Sequence, residues 1–268
     1  MTTLVTSATD RDIASAMKCL SAWITFGIPA NHLTPLVPFL INLLNSPDTF
    51  VPAVDALDAL LSSSTFGNSA GTKTLTEPLL TFLNAHGPTI LQTAIASVQD
   101  GGMVDEVPHA LARLVAALAD HSVSYIIRRL AEPSVQGLLR LLLGFQSFPG
   151  YYGVDEEESE LVLPFWYLLQ EALWDASPSA AADQSFEELE DEPPTTTGVP
   201  PHLDTADLDI AQALYTEVVA VLRRKATWPP QDRLRSWTKG LSWPLFTGTL
   251  LTRVARPTGE ICYVRYLS

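Results

Sequence analysis

Amphipathic helical segments recur along this chain in pairs, and that recurrence restricts the fold more than any single residue does. Ile13, Met17, Leu20, Trp23 and Ile24 fall at three-to-four spacing and predict a helix from about Thr9 to Phe26 with one core-facing stripe, stopped by Gly27 and Pro29. A second segment is expected from about His32 to Asn45, carrying Leu36, Leu40 and Leu43 and closed by Pro47. The next pair is expected at about Phe50 to Ser63, with Val54, Leu57 and Leu61, and at Leu75 to Val98, interrupted at Gly87-Pro88 because proline lacks the N–H a helix needs. A third pair starts at Val104 with Leu111, Leu114, Val115 and Leu118 on one face, then continues from Ser122 to Phe148 with a break at Pro133. The fourth begins at Asp155 and ends near Trp174, with Leu161, Phe165, Leu168, Leu169 and Leu173 as its stripe. Its partner, Leu208 to Lys225, places Ala211, Leu214, Val218, Val221 and Leu222 on one face.

The first helices of these pairs start near residues 10, 50, 104 and 156, at intervals of 40 to 54 positions. That interval is close to the period of about 40–47 residues of HEAT and armadillo repeats. One helix pair has too little apolar partner surface to fold alone, so neighbours stack and bury a continuous core. The expected fold is therefore all-α, a HEAT/armadillo-like helical-repeat solenoid (an α–α superhelix) over residues 1–240. Periodicity by itself leaves a compact all-helical bundle open.

Composition narrows the setting. Of 268 residues, 47% are hydrophobic, enough for an extended core. No stretch reaches the roughly 18 apolar residues of a membrane span, and the richest run, Leu138 to Phe145, is broken by Arg140. The N-terminus has neither a basic region nor a long apolar one, so no secretory signal is expected. Cys19 and Cys262 are the only cysteines and no glycosylation acceptor occurs, which fits a reducing interior, cytosolic or nuclear.

The formal net charge of −14 is unevenly spread. Thirteen acids and no Lys or Arg lie between Asp155 and Pro193, whereas nine basic residues face only Asp232 and Glu260 between Arg223 and Arg265. Such acidity opposes binding to nucleic-acid phosphates and attracts basic protein partners, although acidic patches also simply keep proteins soluble. Within the surplus, Ala176 to Ala206 holds Pro178, Pro193, Pro194, Pro200 and Pro201 and the run Glu187, Glu188, Leu189, Glu190, Asp191, Glu192. That composition predicts a long acidic loop, either a partner-binding element or a solvated spacer.

Residue patterns for catalysis do not emerge. His32, His86, His109, His121 and His202 stand singly, without zinc spacing. Gly67-Asn68-Ser69-Ala70-Gly71 lacks the Lys-Ser/Thr of a phosphate loop. Glu156, Glu157 and Glu158 suit a helix start, where the macrodipole favours negative charge. Trp23 and Trp166, at helical spacing among leucines, are expected in the core. No enzyme, cofactor or metal site is expected.

A more specific signal lies in residues 148–174. Gly150, Tyr152, Val154, Asp155 and Glu156 form a G-x-Y-x-V-[DN]-E pattern, followed by Phe165, Trp166, Tyr167, Leu169 and Gln170 as F-W-Y-x-L-Q. This resembles a motif of importin 13-like nuclear transport receptors, in the importin-beta (karyopherin-beta) superfamily. Met17 to Pro29, with Trp23 before an Ile-Pro turn, is similar to another helix of that family, as are Arg113, Ala116, Ala117, Leu118 and His121, and Val218 to Trp228 with Trp237. The similarity runs in register from about Ala14 to Trp237, and Phe165-Trp166-Tyr167 is its most specific element.

The resemblance implies a transport receptor that binds protein cargo within a superhelix, meets nuclear pore proteins, responds to the small GTPase Ran in its GTP form, and moves between cytoplasm and nucleus. It implies structural roles for Trp23, Tyr152, Asp155, Phe165, Trp166 and Tyr167. The segment looks like the middle of such a receptor, an internal fragment without the amino-terminal repeats that usually hold Ran. Beyond Lys239 the resemblance stops, and residues 241–268 read as a divergent tail. The competing expectation is a helical-repeat scaffold that assembles complexes without Ran; a helical enzyme is a third.

Overall fold

Among the described residues of the computed structural model, most segments whose apolar residues recur every third or fourth position are helices. The structure describes residues 10–28, 30–62, 72–100, 106–151, 156–176 and 205–227. The elements are α1 (Asp10–Phe26), α2 (Ala30–Leu33), a 3-10 turn (Thr34–Leu36), α3 (Val37–Leu43), α4 (Pro47–Ser62), a π turn (Thr72–Thr76), α5 (Glu77–Gln99), α6 (Glu106–His121), α7 (Val123–Ile127), α8 (Pro133–Gln146), α9 (Glu158–Asp175) and α10 (Thr205–Lys225). All belong to a unit that ends at Thr227; a second unit, Trp228–Ser268, lies outside the described residues, as does the expected tail.

The helices form two layers. In one, α1, α4, α6 and α9 pack in succession; in the other, α3, α5, α8 and α10 do. Direction follows from the contacts. Arg113 of α6 meets Asp55 of α4, and His121 at the end of α6 meets the carbonyl of Leu61 at the end of α4, so these helices run parallel. His109 and Glu158, near the starts of α6 and α9, also meet. In the other layer Asn84 reaches Ser134 while Gly87 and Leu91 lie against Leu141 and Gly144. Chain connection from α8 to α9 reverses direction, so the layers are antiparallel to each other. This is the HEAT/armadillo-like repeat arrangement, with first-layer helices starting at residues 10, 47, 106 and 158.

Packing explains the regularity. Leu57, Leu60, Leu111, Leu114, Val115 and Leu118 are fully buried, and alanines at 110, 112 and 119 let the neighbouring helices approach α6 closely. Between α5 and α8 the fit is reciprocal: a Cβ at Gly87 would stand 2.6 Å from Leu141, and one at Gly144 would strike Leu91. Each leucine thus occupies the space the opposite glycine leaves.

Several expectations need correction. α5 runs unbroken through Gly87-Pro88: Pro88 lies on the exposed side of the helix, and burial of Leu83, Gly87 and Leu91 offsets the missing N–H. The expected helix from His32 to Asn45 is instead α2, a 3-10 turn and α3, because Pro35 and Pro38 each remove a helical donor. Pro47 opens α4 at its first position, where its missing N–H costs nothing, rather than only closing the preceding segment. On α1, Met17 and Ile24 are buried but Trp23 is 65% exposed, since one residue's step of about 100° turns it off the buried stripe. On α9 the burial is carried by Val162, Phe165, Trp166 and Leu169, while Leu168 is 40% exposed. The expected break at Pro133 is present, as the turn between α7 and α8.

Candidate partner-binding site

Residues 148–151 and 156–174 of the motif lie at the corner where α8, α9 and α10 meet. Gly150 makes the turn after α8 with φ of +123°, a conformation that favours glycine. The chain then enters α9 through Glu156, whose side chain is fully buried. Its Oε2 accepts the backbone N–H of Ser159 at 2.9 Å and its Oε1 accepts the Ser159 hydroxyl at 2.6 Å, satisfying a donor that a helix start leaves open. Lys225, in the last turn of α10, donates its Nζ to Glu156 Oε1 at 2.7 Å, to the carbonyl of Gly150 at 3.2 Å and to that of Phe148. A charge pair with so little solvent around it is sustained only because hydrogen bonds occupy the remaining valences. On the α6 side, His109 Nδ1 lies 3.5 Å from the buried Glu158 carboxylate.

Deeper in the corner, Trp166 is 3% exposed and donates its indole N–H to Gln146 Oε1 of α8 at 3.2 Å. Phe165 packs edge-on against it, with ring centroids 5.2 Å apart. From α10, Tyr215 donates its hydroxyl to the Trp166 carbonyl at 2.7 Å, and burial pushes the Tyr215 pKa up to about 12. One tryptophan therefore links three helices, two of them through hydrogen bonds.

The expected site residues separate. Phe165 and Trp166 sit in this corner, whereas Tyr167, the third residue of the triplet, is 64% exposed on the far side of α9. Trp23 lies on α1, at the other end of its layer. Tyr152 and Asp155 lie outside the described residues, and so do Glu187, Glu188, Glu190, Asp191 and Glu192 of the acidic loop. Sequence reasoning did not single out Lys225, Tyr215, Gln146 or Ser159 as members of one network. Only the Glu156-x-x-Ser159 spacing at a helix start signalled any of it locally.

A groove of about 570 Å³ opens elsewhere, lined by Phe50, Phe82, Ile90, Ala94 and Val107 with His86 at its side. It is mostly apolar and brings no pair of acid and base together. Among the described residues no cluster of His, Cys, Asp or Glu has metal-ligand geometry, and no helix is long and apolar enough to cross a membrane.

No family model matches the chain. Importin-13 of Gallus gallus is 24% identical over 224 residues, covering 83% of this chain and 20% of the relative. Importin-13 of Homo sapiens is 22% identical over 225 residues with the same coverages, and that of Bos taurus 23% identical. The chain is thus distantly related to importin-13, and it spans about a fifth of the length of the curated relatives it matches.

Proposed function

We propose that this distant relative of importin-13 acts as a segment of a nucleocytoplasmic transport receptor of the importin-beta type. It recognises proteins through the surfaces of its helical stack and performs no bond chemistry. The observation that carries this reading is similarity to importin-13 along 83% of the chain, over a sequence that folds as stacked helix pairs. Its partners in this reading are protein cargo, nuclear pore proteins and Ran in its GTP form, met in both cytoplasm and nucleus. The acidic run Glu187 to Glu192 supplies negative charge complementary to basic cargo.

The test is capture of basic cargo proteins and nuclear pore proteins on the immobilised chain, with Ran held in its GTP or GDP form. Cargo binding that changes with the nucleotide on Ran supports a transport receptor. Binding that Ran never alters makes the chain a helical-repeat scaffold. Deleting residues 179–201 should weaken cargo binding and flatten its salt dependence, because exposed charges attract over about 8–10 Å until ions screen them. Identical affinity and salt slope would reduce the loop to a spacer.

A further inference from the structure

α10 is held to the stack by few apolar side chains and by polar contacts at its middle and its end. Ala211, Val218 and Val221 are its buried residues, with Ile210, Leu214, Tyr215 and Leu222 half-buried against the core, while Val219 is 61% exposed. In the last turn, the three N–H donors of the Lys225 ammonium meet three oxygens, those of the Glu156 carboxylate and of the Phe148 and Gly150 carbonyls. These acceptors fall within one short stretch, residues 148–156, so a single point closes the end of α10 against the turn that leads from α8 into α9. The Tyr215 hydroxyl adds a second point halfway along, on the Trp166 carbonyl.

Most of these contacts end on groups that keep another partner once α10 is gone. The Glu156 carboxylate still accepts the N–H and the hydroxyl of Ser159, so the start of α9 stays capped. The Trp166 carbonyl lies inside α9 and serves that helix's own ladder. Gly150 is exposed, so water replaces the ammonium in the turn after α8. The bonds that join the neighbouring helices bypass α10: Trp166 to Gln146 ties α9 to α8, and His109 to Glu158 ties α6 to α9. We infer that α10 is a releasable strap, which opens as one unit while α6, α8 and α9 stay assembled, and that the Lys225–Glu156 contact is the latch that holds it shut. Removed from its neighbours α10 is a poor helix, because Ile210, Thr216, Val218, Val219 and Val221 are β-branched and 21 residues without a packed face are marginal in water. The strap therefore melts as it lifts, and it uncovers the parts of α8 and α9 on which it packs. None of this depends on a role in transport.

The experiment is hydrogen exchange of the whole chain, read by mass spectrometry over peptides from α6, from the middle of α9 and from α10. In the unaltered chain the amides of residues 209–225 should exchange together, through an opening that leaves those of α6 and mid-α9 protected. Lys225→Met should speed exchange across α10 about a hundredfold, the scale of leaving a buried charge without its partner, and leave α6 and mid-α9 as they were. Lys225→Met with Glu156→Gln should bring α10 most of the way back, since no charge is then left uncompensated. α10 amides that exchange only together with those of α6 in the unaltered chain would overturn the strap, and so would an equal acceleration of mid-α9 in Lys225→Met. Exchange of α10 that Lys225→Met does not move, or a double variant as fast as the single one, would overturn the latch. The measurement on the unaltered chain decides the strap even where a variant fails to fold.

Discussion

The joint between α4 and α6 and the corner of α8, α9 and α10 hold the same kind of stack together by different means. α6 buries nine of its sixteen residues, so apolar surface suffices there, and the polar contacts lie at its edge. Arg113 reaches Asp55 at 2.8 Å and Asp58 at 3.4 Å with side chains 32–39% exposed. Partial burial opposes the Arg113 charge, but hydrogen bonding to Asp55 and the nearby carboxylates outweigh it and raise its pKa. α10 buries only Ala211, Val218 and Val221 of twenty-one residues. A helix with so little apolar grip needs another anchor, and Lys225 and Tyr215 supply it through partly buried polar contacts. The comparison teaches that a repeat rich in buried leucine and alanine docks mainly by apolar burial with polar contacts at its edge, whereas a sparsely apolar one is placed by its polar bonds.

The largest blow to the corner should come from Trp166→Ala. It removes the largest side chain there and leaves the Gln146 amide, 2% exposed, without its donor. A loss of roughly 5 kcal/mol, the upper end for a buried tryptophan, is expected by chemical denaturation. If stability holds while partner binding fails, Trp166 is a recognition residue rather than an anchor.

Next in size is Lys225→Met, which leaves the buried Glu156 carboxylate uncompensated and should cost about 3 kcal/mol or more. Lys225→Met combined with Glu156→Gln removes both charges, keeps an acceptor for Ser159, and should recover most of the loss. Denaturation of the single and double variants decides the matter. A double variant as weak as the single one would show that the lysine stem, not its charge, secures α10.

How far the sequence announces these two regions differs for a physical reason. α6 was readable because Leu111, Leu114, Val115 and Leu118 point at a core continuous on every side, and each is fully buried. Phe165 and Trp166 were readable as core on the same grounds. Trp23 was not, since an exposed aromatic stripe has the same spacing as a buried one and only the absence of a packed neighbour distinguishes them. Glu156 was correctly placed at a helix start, but its partner Lys225 is 69 positions away and no local pattern links the two. Gly87-Pro88 misled because proline's helix-breaking tendency is local, while the packing of Gly87 on Leu141 is tertiary.

Tyr215→Phe is a smaller perturbation. It deletes one hydrogen bond to a carbonyl and should cost about 1 kcal/mol. Its pH signature is more telling. With the folded pKa raised to about 12 and an unfolded value near 10, the phenol stays protonated in the fold after it ionises in the unfolded chain. This contribution is fully present below about pH 10 and is lost as pH rises toward 12. Stability measured across that window should fall less steeply in Tyr215→Phe than in the unaltered chain; equal slopes would mean that the hydroxyl is not buried in solution.

The smallest effect belongs to the other region and bears most directly on the comparison. Arg113→Ala breaks contacts to Asp55 and Asp58 at a site about a third exposed, where ion pairs contribute about 0–1 kcal/mol. Raising salt to 1 M shortens the screening length to about 3 Å, so the difference between Arg113→Ala and the unaltered chain should vanish there. The loss in Lys225→Met should survive the same salt, because ions do not enter the space around Glu156. Both variants are measured by denaturation at low and high ionic strength. A large, salt-independent loss at Arg113 would mean that α4 and α6 are also held by specific polar bonds, and apolar burial alone would no longer account for how the first-layer helices stack.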